Sequence, residues 1–332
     1  MRVDRITTRE GTQPGPESHE AAELPNPTNG GDVVSPARPG TRVQLKNILF
    51  LTDFSEPSEA ALPFAMAIAR EYGSNVHALH VLLPDMVAYS LPDVTIAAVE
   101  AQEEGAVREM QRTESQLAGV AHEGSIVRAG EIWNAVADAI GGSHADMLVL
   151  GTHGRTGAQK VMLGSVAEEV FRKSPIPVLT IGPNARGRLH GAARFHRILY
   201  ATDFTVESAT AAPYAVSLAQ ENQAQLILMH VLEGGHTVPV RGRQSMSIAD
   251  AMHALLEMVP EDADLWCRPE PVVQYGSPAE RILVEAKGRN ADLIVLGVRS
   301  AAGRLHLATR LSRSVAYQVV SSAACPVLTV RA

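Results

Sequence analysis

The sequence predicts an α/β protein built from doubly wound parallel sheets with helices on both faces. Short apolar runs alternate with segments of helical periodicity, which is the order of βαβ units. The apolar runs lack a strict polar alternation, as is typical of strands buried on both faces. The same pattern occurs twice at a spacing of about 150 residues, so we expect two such sheets in tandem.

Composition agrees with two globular cores in one chain. The chain has 332 residues, of which 45% are hydrophobic and 20% are charged, and one domain typically takes about 150 residues. The formal net charge of −7 argues against a general nucleic-acid binder, which carries a basic balance. We therefore expect no nucleic-acid partner, while small anions stay compatible because local backbone and Arg groups can hold them.

Two further features predict a cytoplasmic protein without a membrane partner. The amino-terminal residues contain no apolar segment of the kind that a secretory signal needs. The longest apolar run, Ala60–Ala69, is far shorter than the roughly 20 residues of a membrane span. Cys267 and Cys325 match no CxxC pattern and cannot form a disulfide framework, so we expect two reduced thiols.

An internal repeat divides the chain. Ile48–Leu82 and Ile198–Leu232 align without gaps over 35 residues, with 14 identities. Residues 1–44 are rich in Pro and Gly and poor in large apolar groups, which predicts a disordered or loosely ordered tail. The boundaries expected from this pattern are 45–182 for the first domain, 183–194 for a linker and 195–332 for the second domain.

The elements of the first copy follow from its periodicity. The predicted strands are Ile48–Thr52, Val76–Leu82, Ser125–Arg128, Met147–Leu150 and Val178–Ile181. The predicted helices are 56–72, 94–118, 131–141 and 165–173. In the first helix, Phe64, Ala65 and Ile68 share one face. Ser55 precedes that helix and is suited to be its N-cap, with Pro57 in the first turn.

A glycine-rich segment follows the fourth predicted strand. It runs from Gly151 through Gly154 to Gly164 and Ser165, with two and then nine residues between the glycines. Glycines let backbone amides approach an anion, and Ser165 stands where the next helix begins, the end that favours negative charge. Ligands of doubly wound sheets bind at the carboxyl ends of the strands, so the segment predicts a phosphate loop. It matches neither the Walker loop nor the dinucleotide fingerprint.

This loop and three other motifs resemble the universal stress protein family, specifically its ATP-binding branch. The other motifs are Thr52-Asp-Phe-Ser after the first strand, His80-Val at the end of the second, and Ser174-Pro-Ile-Pro-Val-Leu at the last. The resemblance covers both copies. It implies five-stranded sheets of strand order 3-2-1-4-5, paired through their last strands as an internal pseudo-dimer, and it leaves a homodimer open.

The resemblance also implies a nucleotide site in the first copy. Its expected ligand is ATP, ADP or AMP, with Mg²⁺ carried by the phosphates and not held in a protein cage. The implied contacts lie after the first strand, at the end of the second, and along the glycine loop. They are Thr52, Asp53, Val81, Leu150, Gly151, His153, Gly154, Arg155, Gly164, Ser165 and Val166.

The second copy departs from this pattern. Ser300 replaces the second glycine, and Arg313 stands where the first copy has Gly164. Such a side chain obstructs the close approach of backbone to phosphate, so we expect either a degenerate site or one in which guanidinium groups hold an anion. The residues of this second candidate site are Asp203, Val231, Gly297, Arg299, Ser300, Arg313 and Ser314.

Several of these residues also have a purely structural interpretation. Asp53 suits a turn in which a carboxylate accepts backbone amides. Ser165 and Glu168 match a capping box. His80 and His230 suit structural hydrogen bonds better than metal ligation, because no Cys or carboxylate lies at ligand spacing. We expect no metal site and no catalytic residue.

The function implied by the resemblance is that of an ATP-binding stress-response regulator. It would act through nucleotide-dependent conformation or association with an unidentified protein partner. The alternatives are a slow ATPase or phosphoryl-transfer enzyme and a non-binding scaffold. Because no positioned base is evident, we expect weak hydrolysis at most. The scaffold is disfavoured because a silent loop has no evident need of Gly151, Gly154, Gly164 and Ser165 together.

Overall fold

The computed structural model describes seven stretches of the chain. They are residues 42–84, 92–152, 163–185, 194–232, 246–261, 263–299 and 314–332. We call the described residues up to 185 the first half and those from 194 the second half. Each half carries five strands, and within these ranges no helix is both long and apolar enough to cross a bilayer.

Strands and helices alternate along both halves. The first half contains β1 (Asn47–Leu51), α1 (Glu56–Glu59), α2 (Leu62–Tyr72), β2 (Asn75–Leu82), α3 (Pro92–Gln116), β3 (Ala121–Arg128), α4 (Ile132–Ser143), β4 (Met147–Gly151), α5 (Ser165–Lys173) and β5 (Val178–Ile181). The second half contains β6 (Arg197–Ala201), α6 (Val206–Ala209), α7 (Ala212–Asn222), β7 (Gln225–Leu232), α8 (Ile248–Leu256), β8 (Pro269–Tyr275), α9 (Pro278–Gly288), β9 (Leu293–Val298), α10 (Val315–Ser322) and β10 (Val327–Arg331).

The sheet confirms the predicted strand order. Its order is β3-β2-β1-β4-β5-β10-β9-β6-β7-β8, so each half has the order 3-2-1-4-5. The two five-stranded sheets join into one ten-stranded sheet through their last strands, as the resemblance implied, because β5 and β10 pair antiparallel through Leu179 and Leu328. Each of these strands would otherwise leave an apolar edge with unpaired backbone groups.

The first predicted helix, 56–72, was wrong as a single element. The structure has α1 and α2 there, and Ala60 and Ala61 separate them. Pro63 explains the break, because proline donates no amide and its ring clashes with the carbonyl four residues earlier. Among the other predicted elements, α5 and β5 have the predicted bounds, and the rest are present with shifted ends. The largest shift is in β3, which begins four residues before Ser125. Its first residues alternate between polar and less polar side chains, as in an edge strand, so a search for continuous apolar runs did not include them.

Alternate residues of each strand face two core layers that run through both halves. In β1, Ile48 and Phe50 pack in the layer formed with α2, α3, α7 and α8. Leu49 and Leu51 pack in the opposite layer, formed with α4, α5, α9 and α10. Helices therefore cover both faces of the sheet, as predicted, and neither layer is interrupted at the junction of the halves.

Reciprocal polar contacts also join the halves along α2 and α7. Arg42 of the first half forms an ion pair with Glu221 at 2.8 Å, and Arg194 of the second half forms one with Glu71 at 3.0 Å. Between them, the Tyr72 and Ser217 hydroxyls hydrogen-bond at 3.0 Å. Burial raises the pKa of Tyr72 to about 12, so the phenol stays neutral and keeps this bond at ordinary pH.

We predict that Tyr72→Phe destabilises the contact between the halves by about 1 kcal/mol, since it leaves the buried Ser217 hydroxyl without this partner. The measurement is the urea midpoint at constant m-value. Tyr275→Phe is the matched control, because that side chain is 50% exposed. Equal midpoints for the two variants would contradict the prediction.

Candidate functional site

The candidate site lies where the strand order reverses, at the carboxyl ends of β1 and β4. These strands are parallel neighbours, with Phe50 beside Val149. The chain runs from β1 to β2 on one side of this pair and from β4 to β5 on the other. A crevice is expected between the two connections, which is the usual ligand position in this fold. Thr52 and Gly151 stand at the ends of these two strands.

Thr52 organises the turn that follows β1. Its amide donates to the Leu79 carbonyl at 3.0 Å, and its hydroxyl accepts the Phe54 amide at 3.0 Å. The Ser58 hydroxyl donates to the Ser55 carbonyl at 2.9 Å. Since a hydroxyl has one proton, the Thr52 hydroxyl is the donor in its 3.1 Å bond to Ser58. The amide and the hydroxyl of buried Thr52 are therefore both hydrogen-bonded, and its bond to Ser58 links α1 to the end of β1.

Asp53 lies at the open side of the same turn. Its Oδ1 accepts the Ser55 amide at 3.0 Å and also the Ser55 hydroxyl. Ser55 is the N-cap of α1, with Pro57 in the first turn, as the sequence predicted. The structural interpretation of Asp53 is therefore confirmed. Its half-buried carboxylate stands beside the crevice, and its contact with a nucleoside stays a prediction.

The backbone of this turn is strained at Phe54. Its φ is +58°, a region that bulky side chains rarely adopt. The Phe54 ring lies 4.2 Å from the His80 ring, centroid to centroid, and His80 Nδ1 donates to the Thr52 carbonyl at 2.8 Å. This bond places the proton on Nδ1, since a carbonyl only accepts. The structural role predicted for His80 is confirmed, and the described residues contain no cluster of three metal-ligating side chains.

Gly151 has a packing role independent of any ligand. A Cβ at this position would lie 2.5 Å from the Pro57 carbonyl oxygen and 2.9 Å from its carbon. Only glycine lets α1 approach β4 this closely. The argument against a silent scaffold was therefore wrong for Gly151, since the fold itself requires it.

The two ends of the glycine loop are tied together. The Gly164 amide donates to the Thr152 carbonyl at 2.8 Å, so the chain returns to the end of β4 just before α5 begins. Gly164 is the N-cap of α5 and has a φ of −61°, so its own backbone conformation does not demand glycine. The predicted contacts His153, Gly154 and Arg155 lie outside the described residues.

Ser165 is not the N-cap that the sequence predicted. It is the first residue of α5, because the Gly164 carbonyl accepts the Glu168 amide at 2.8 Å and so starts the helix one residue earlier. The capping box of Ser165 and Glu168 was therefore wrong. A glycine N-cap offers no side-chain oxygen to the first-turn amides, and the Ser165 side chain is exposed beside them.

The apolar candidates lie near the ends of β2 and β4 and at the start of α5. Leu150 is buried near the end of β4, and Val81 near the end of β2 is half-buried. Val166 in the first turn of α5 is also half-buried. All three pack on the core layer that contains α4 and α5. Their contact with a nucleoside, like that of Asp53, stays a prediction.

The second half repeats the turn after its first strand. The Thr202 hydroxyl bonds to Ser208 at 2.8 Å, and Phe204 again has a positive φ, of 60°. His230 Nδ1 donates to the Thr202 carbonyl at 2.8 Å, which confirms its structural role as well. Burial acts to raise the pKa of Asp203, but hydrogen bonds from Thr205 and Ser208 outweigh it, so the pKa lies below its ordinary value.

The halves differ where the glycine loop meets the following helix. In the second half Ser314 is the N-cap of α10, and its hydroxyl accepts the Tyr317 amide at 3.2 Å. Gly297 again faces a helix, since a Cβ there would lie 2.0 Å from the Glu207 carbonyl oxygen. Arg299 forms an exposed ion pair with the Glu207 carboxylate at 3.7 Å. Half-buried Val231 lies one residue before the end of β7, and Ser300 and Arg313 lie outside the described residues.

Sequence reasoning missed two groups of residues at the site. One is the serine hydroxyl, of Ser58 in the first half and Ser208 in the second, that hydrogen-bonds to the threonine of each turn. The repeat could have revealed this residue, because both copies carry serine at this position. The other is Arg331, which binds the carbonyl end of α5. The repeat offered no signal for it, since the first copy has Gly182 at the equivalent position.

Comparisons with known proteins agree with the two copies. The sequence profile of the Universal stress protein family matches residues 44–182 and 194–331. A universal stress protein of Mycolicibacterium smegmatis is 27% identical over 301 residues, which cover 86% of this chain and 96% of that protein. The universal stress protein YxiE of Bacillus subtilis is 31% identical over 150 residues, 41% of this chain and 99% of YxiE.

A solved structure shares the fold of both halves. The crystal structure of a universal stress protein from Archaeoglobus fulgidus aligns with a TM-score of 0.64 at 22% identity, covering 87% of this chain and 97% of that chain. At this identity the likeness concerns the fold. The two profile matches confirm the family resemblance read from the motifs.

We predict that Gly151→Ala destabilises the chain by about 1–3 kcal/mol, because the new methyl group overlaps the Pro57 carbonyl and α1 must move. The matched control is Gly142→Ala near the end of α4, where a Cβ meets no atom within 4 Å. That variant gains up to about 1 kcal/mol from helix propensity. Urea unfolding of both variants measures the difference, and a neutral Gly151→Ala would contradict the packing role.

We also predict unequal costs for two serines that align in the repeat. Ser314→Ala removes the cap of α10 and costs about 1 kcal/mol. Ser165→Ala removes no cap from α5 and stays within about 0.5 kcal/mol. Unfolding midpoints of the two variants in urea provide the comparison. An equal loss in both would mean that the helices begin at the same aligned residue.

Proposed function

Because the chain belongs to the universal stress protein family, we propose that it binds ATP in its first half and acts as a regulator through nucleotide-dependent conformation or association. The phosphates would lie at the start of α5, and the adenosine would lie on the surface formed by Thr52, Asp53, Val81 and Leu150. A protein partner and a homodimer stay predictions.

The observation that carries the proposal is the start of α5. Its N-cap is a glycine without a side-chain oxygen, so no protein group of the cap occupies the first-turn amides. Unsatisfied amides and the helix dipole at such an end favour an anion. The exposed Ser165 hydroxyl stands in the same turn and would donate to a phosphate oxygen. The tie between Gly164 and Thr152 holds this helix end beside the crevice.

The residues present fit a nucleotide better than a dedicated metal site. No cluster of metal-ligating side chains occurs among the described residues, so Mg²⁺ would be coordinated by the phosphates and water. A bound triphosphate–Mg²⁺ supplies an anionic group that the α5 amides recognise. His153, Gly154 and Arg155 complete the proposed contacts from the loop.

The second half supports an asymmetric arrangement with one standard site. Ser314 directs its hydroxyl to the Tyr317 amide, so the start of α10 is capped by the protein itself. Arg313 replaces the glycine that forms the N-cap of α5. We therefore propose that the second half is a companion with an altered or degenerate site. Regulation then requires that ATP binds two conformations of the first half with different affinity.

We predict about one adenine nucleotide per chain. The test is chromatography of the nucleotide released from gently purified, denatured protein, followed by titration of the emptied protein with ATP–Mg²⁺. Two nucleotides per chain would contradict the altered second site. No nucleotide, together with no heat of binding at millimolar ATP, would favour the scaffold.

Two variants, Gly164→Arg and Gly142→Arg, introduce the same positive side chain, the first at the proposed site and the second away from it. Gly164→Arg copies the second half and should weaken ATP binding by more than tenfold, about 1.4 kcal/mol or more. Gly142→Arg adds the same side chain at the end of α4, in open space, and should leave affinity unchanged. Unchanged affinity in Gly164→Arg would exclude the start of α5 as the phosphate position.

A further inference from the structure

Arg331, the last residue of β10, crosses from the second half to the first. Its Nη2 donates to the Phe171 carbonyl at 2.6 Å, and its Nε donates to the Ser174 carbonyl at 3.0 Å. Its Nη1 turns back and donates to the Arg299 carbonyl, in its own half, at 2.7 Å. The side chain is half-buried, and that burial lowers the pKa of its guanidinium.

The carbonyls that Arg331 binds in the first half belong to the end of α5. Phe171 lies in the last turn of α5, and Ser174 is its C-cap. The last carbonyls of a helix have no partner within the helix, and a cation there also opposes the helix dipole. Arg331 therefore stabilises α5 from its carboxyl end. The other end of α5, about 14 Å away by its helical rise, begins at Ser165.

The third bond of Arg331 reaches the end of β9. Arg299 follows that strand directly and, like Gly297, belongs to the second candidate site. The guanidinium is planar and rigid, with its donors in fixed directions. A displacement of α5 therefore cannot preserve all three bonds, and the bond to the Arg299 carbonyl changes with it.

The first half lacks this arrangement. The counterpart of Arg331 is Gly182, and a Cβ there would lie 3.5 Å from the Ala323 carbonyl and 4.0 Å from the Val320 carbonyl. Ala323 is the C-cap of α10, as Ser174 is of α5. The position therefore faces the equivalent carbonyls without a guanidinium to bind them. Among the described residues, an arginine of this kind supports α5 and not α10.

We propose that Arg331 is a positioning residue that holds α5 at the nucleotide site of the first half and couples that site to the end of β9 in the second. The proposal rests on ATP binding at the start of α5. When ATP binds, its phosphates would draw the first turn of α5 toward them, so the carbonyl end of the same helix moves too. Arg331 then moves with that end, and its bond to the Arg299 carbonyl changes. If ATP changes the affinity of a ligand that binds near the end of β9 by some factor, linkage requires that this ligand changes the ATP affinity by the same factor.

The test is hydrogen exchange of the full chain with and without ATP–Mg²⁺, together with calorimetric titration. In the unmodified protein, ATP should alter exchange in α5 and also at residues 297–299. In Arg331→Ala, the ATP dissociation constant should rise about fivefold, and the ATP response at 297–299 should disappear while that of α5 remains. Arg331→Lys keeps the charge but not the three-way fork. It should recover most of the affinity and none of the response at 297–299.

Arg42→Ala is the matched control. It removes another arginine that joins the halves, through Glu221, and it touches neither α5 nor β9. It should keep both the affinity and the response at residues 297–299. Should Arg331→Ala fail to fold, Arg331→Lys provides the same comparison.

The outcomes separate the two proposals. An unmodified protein that binds no ATP would overturn the proposed function and the coupling with it. Normal ATP binding, with the response at residues 297–299 intact in both Arg331 variants, would overturn the coupling alone. Loss of that response in Arg42→Ala as well would show that Arg331 acts only by joining the halves, which also overturns it.

Discussion

The antiparallel pairing of β5 with β10 is the contact on which the rest of the molecule depends. Only three residue pairs form it, centred on Leu179 and Leu328. The Thr180 hydroxyl reinforces it by donating to the Val327 carbonyl at 3.1 Å, and Thr329 donates to the Val178 carbonyl at 3.3 Å. This pairing makes one sheet of two, continues both core layers across the junction, and brings the end of α5 within reach of β10.

The two halves share one turn and diverge at one helix start. The hydroxyl network after β1 recurs after β6 with nearly the same distances, and both turns hold a phenylalanine at positive φ. Strain kept at both positions is typical of functional sites. The divergence is a shift of one residue: Gly164 precedes α5, whereas Ser314 caps α10 with its own hydroxyl. The Ser314 hydroxyl therefore satisfies a first-turn amide of α10, whereas the glycine N-cap of α5 offers its first-turn amides no side-chain oxygen.

Strand content could be predicted because buried strands leave continuous apolar runs and the repeat shows them twice, whereas the strand order came from the resemblance to the universal stress protein family. The break before Pro63 and the N-cap of α5 could not be predicted, because each depends on local geometry. The junction of the two sheets was implied by the resemblance alone, because it depends on a strand far along the chain. Gly151 shows the limit most plainly. Its sequence context indicated a phosphate loop, while its contact with Pro57 is a matter of helix packing that spacing alone does not reveal.

Arg331 occurs in the second half only, since the first half has Gly182 at the equivalent position. This difference bears on how a protein with two copies of one domain can evolve. In a symmetric dimer of identical chains, every substitution appears twice, so the interface would carry two arginines or two glycines at this position. Joining both copies in one polypeptide removes that constraint and makes the pairing independent of protein concentration. Two identical chains could therefore not combine Arg331 in one copy with Gly182 at the equivalent position of the other, whereas two copies joined in one chain can.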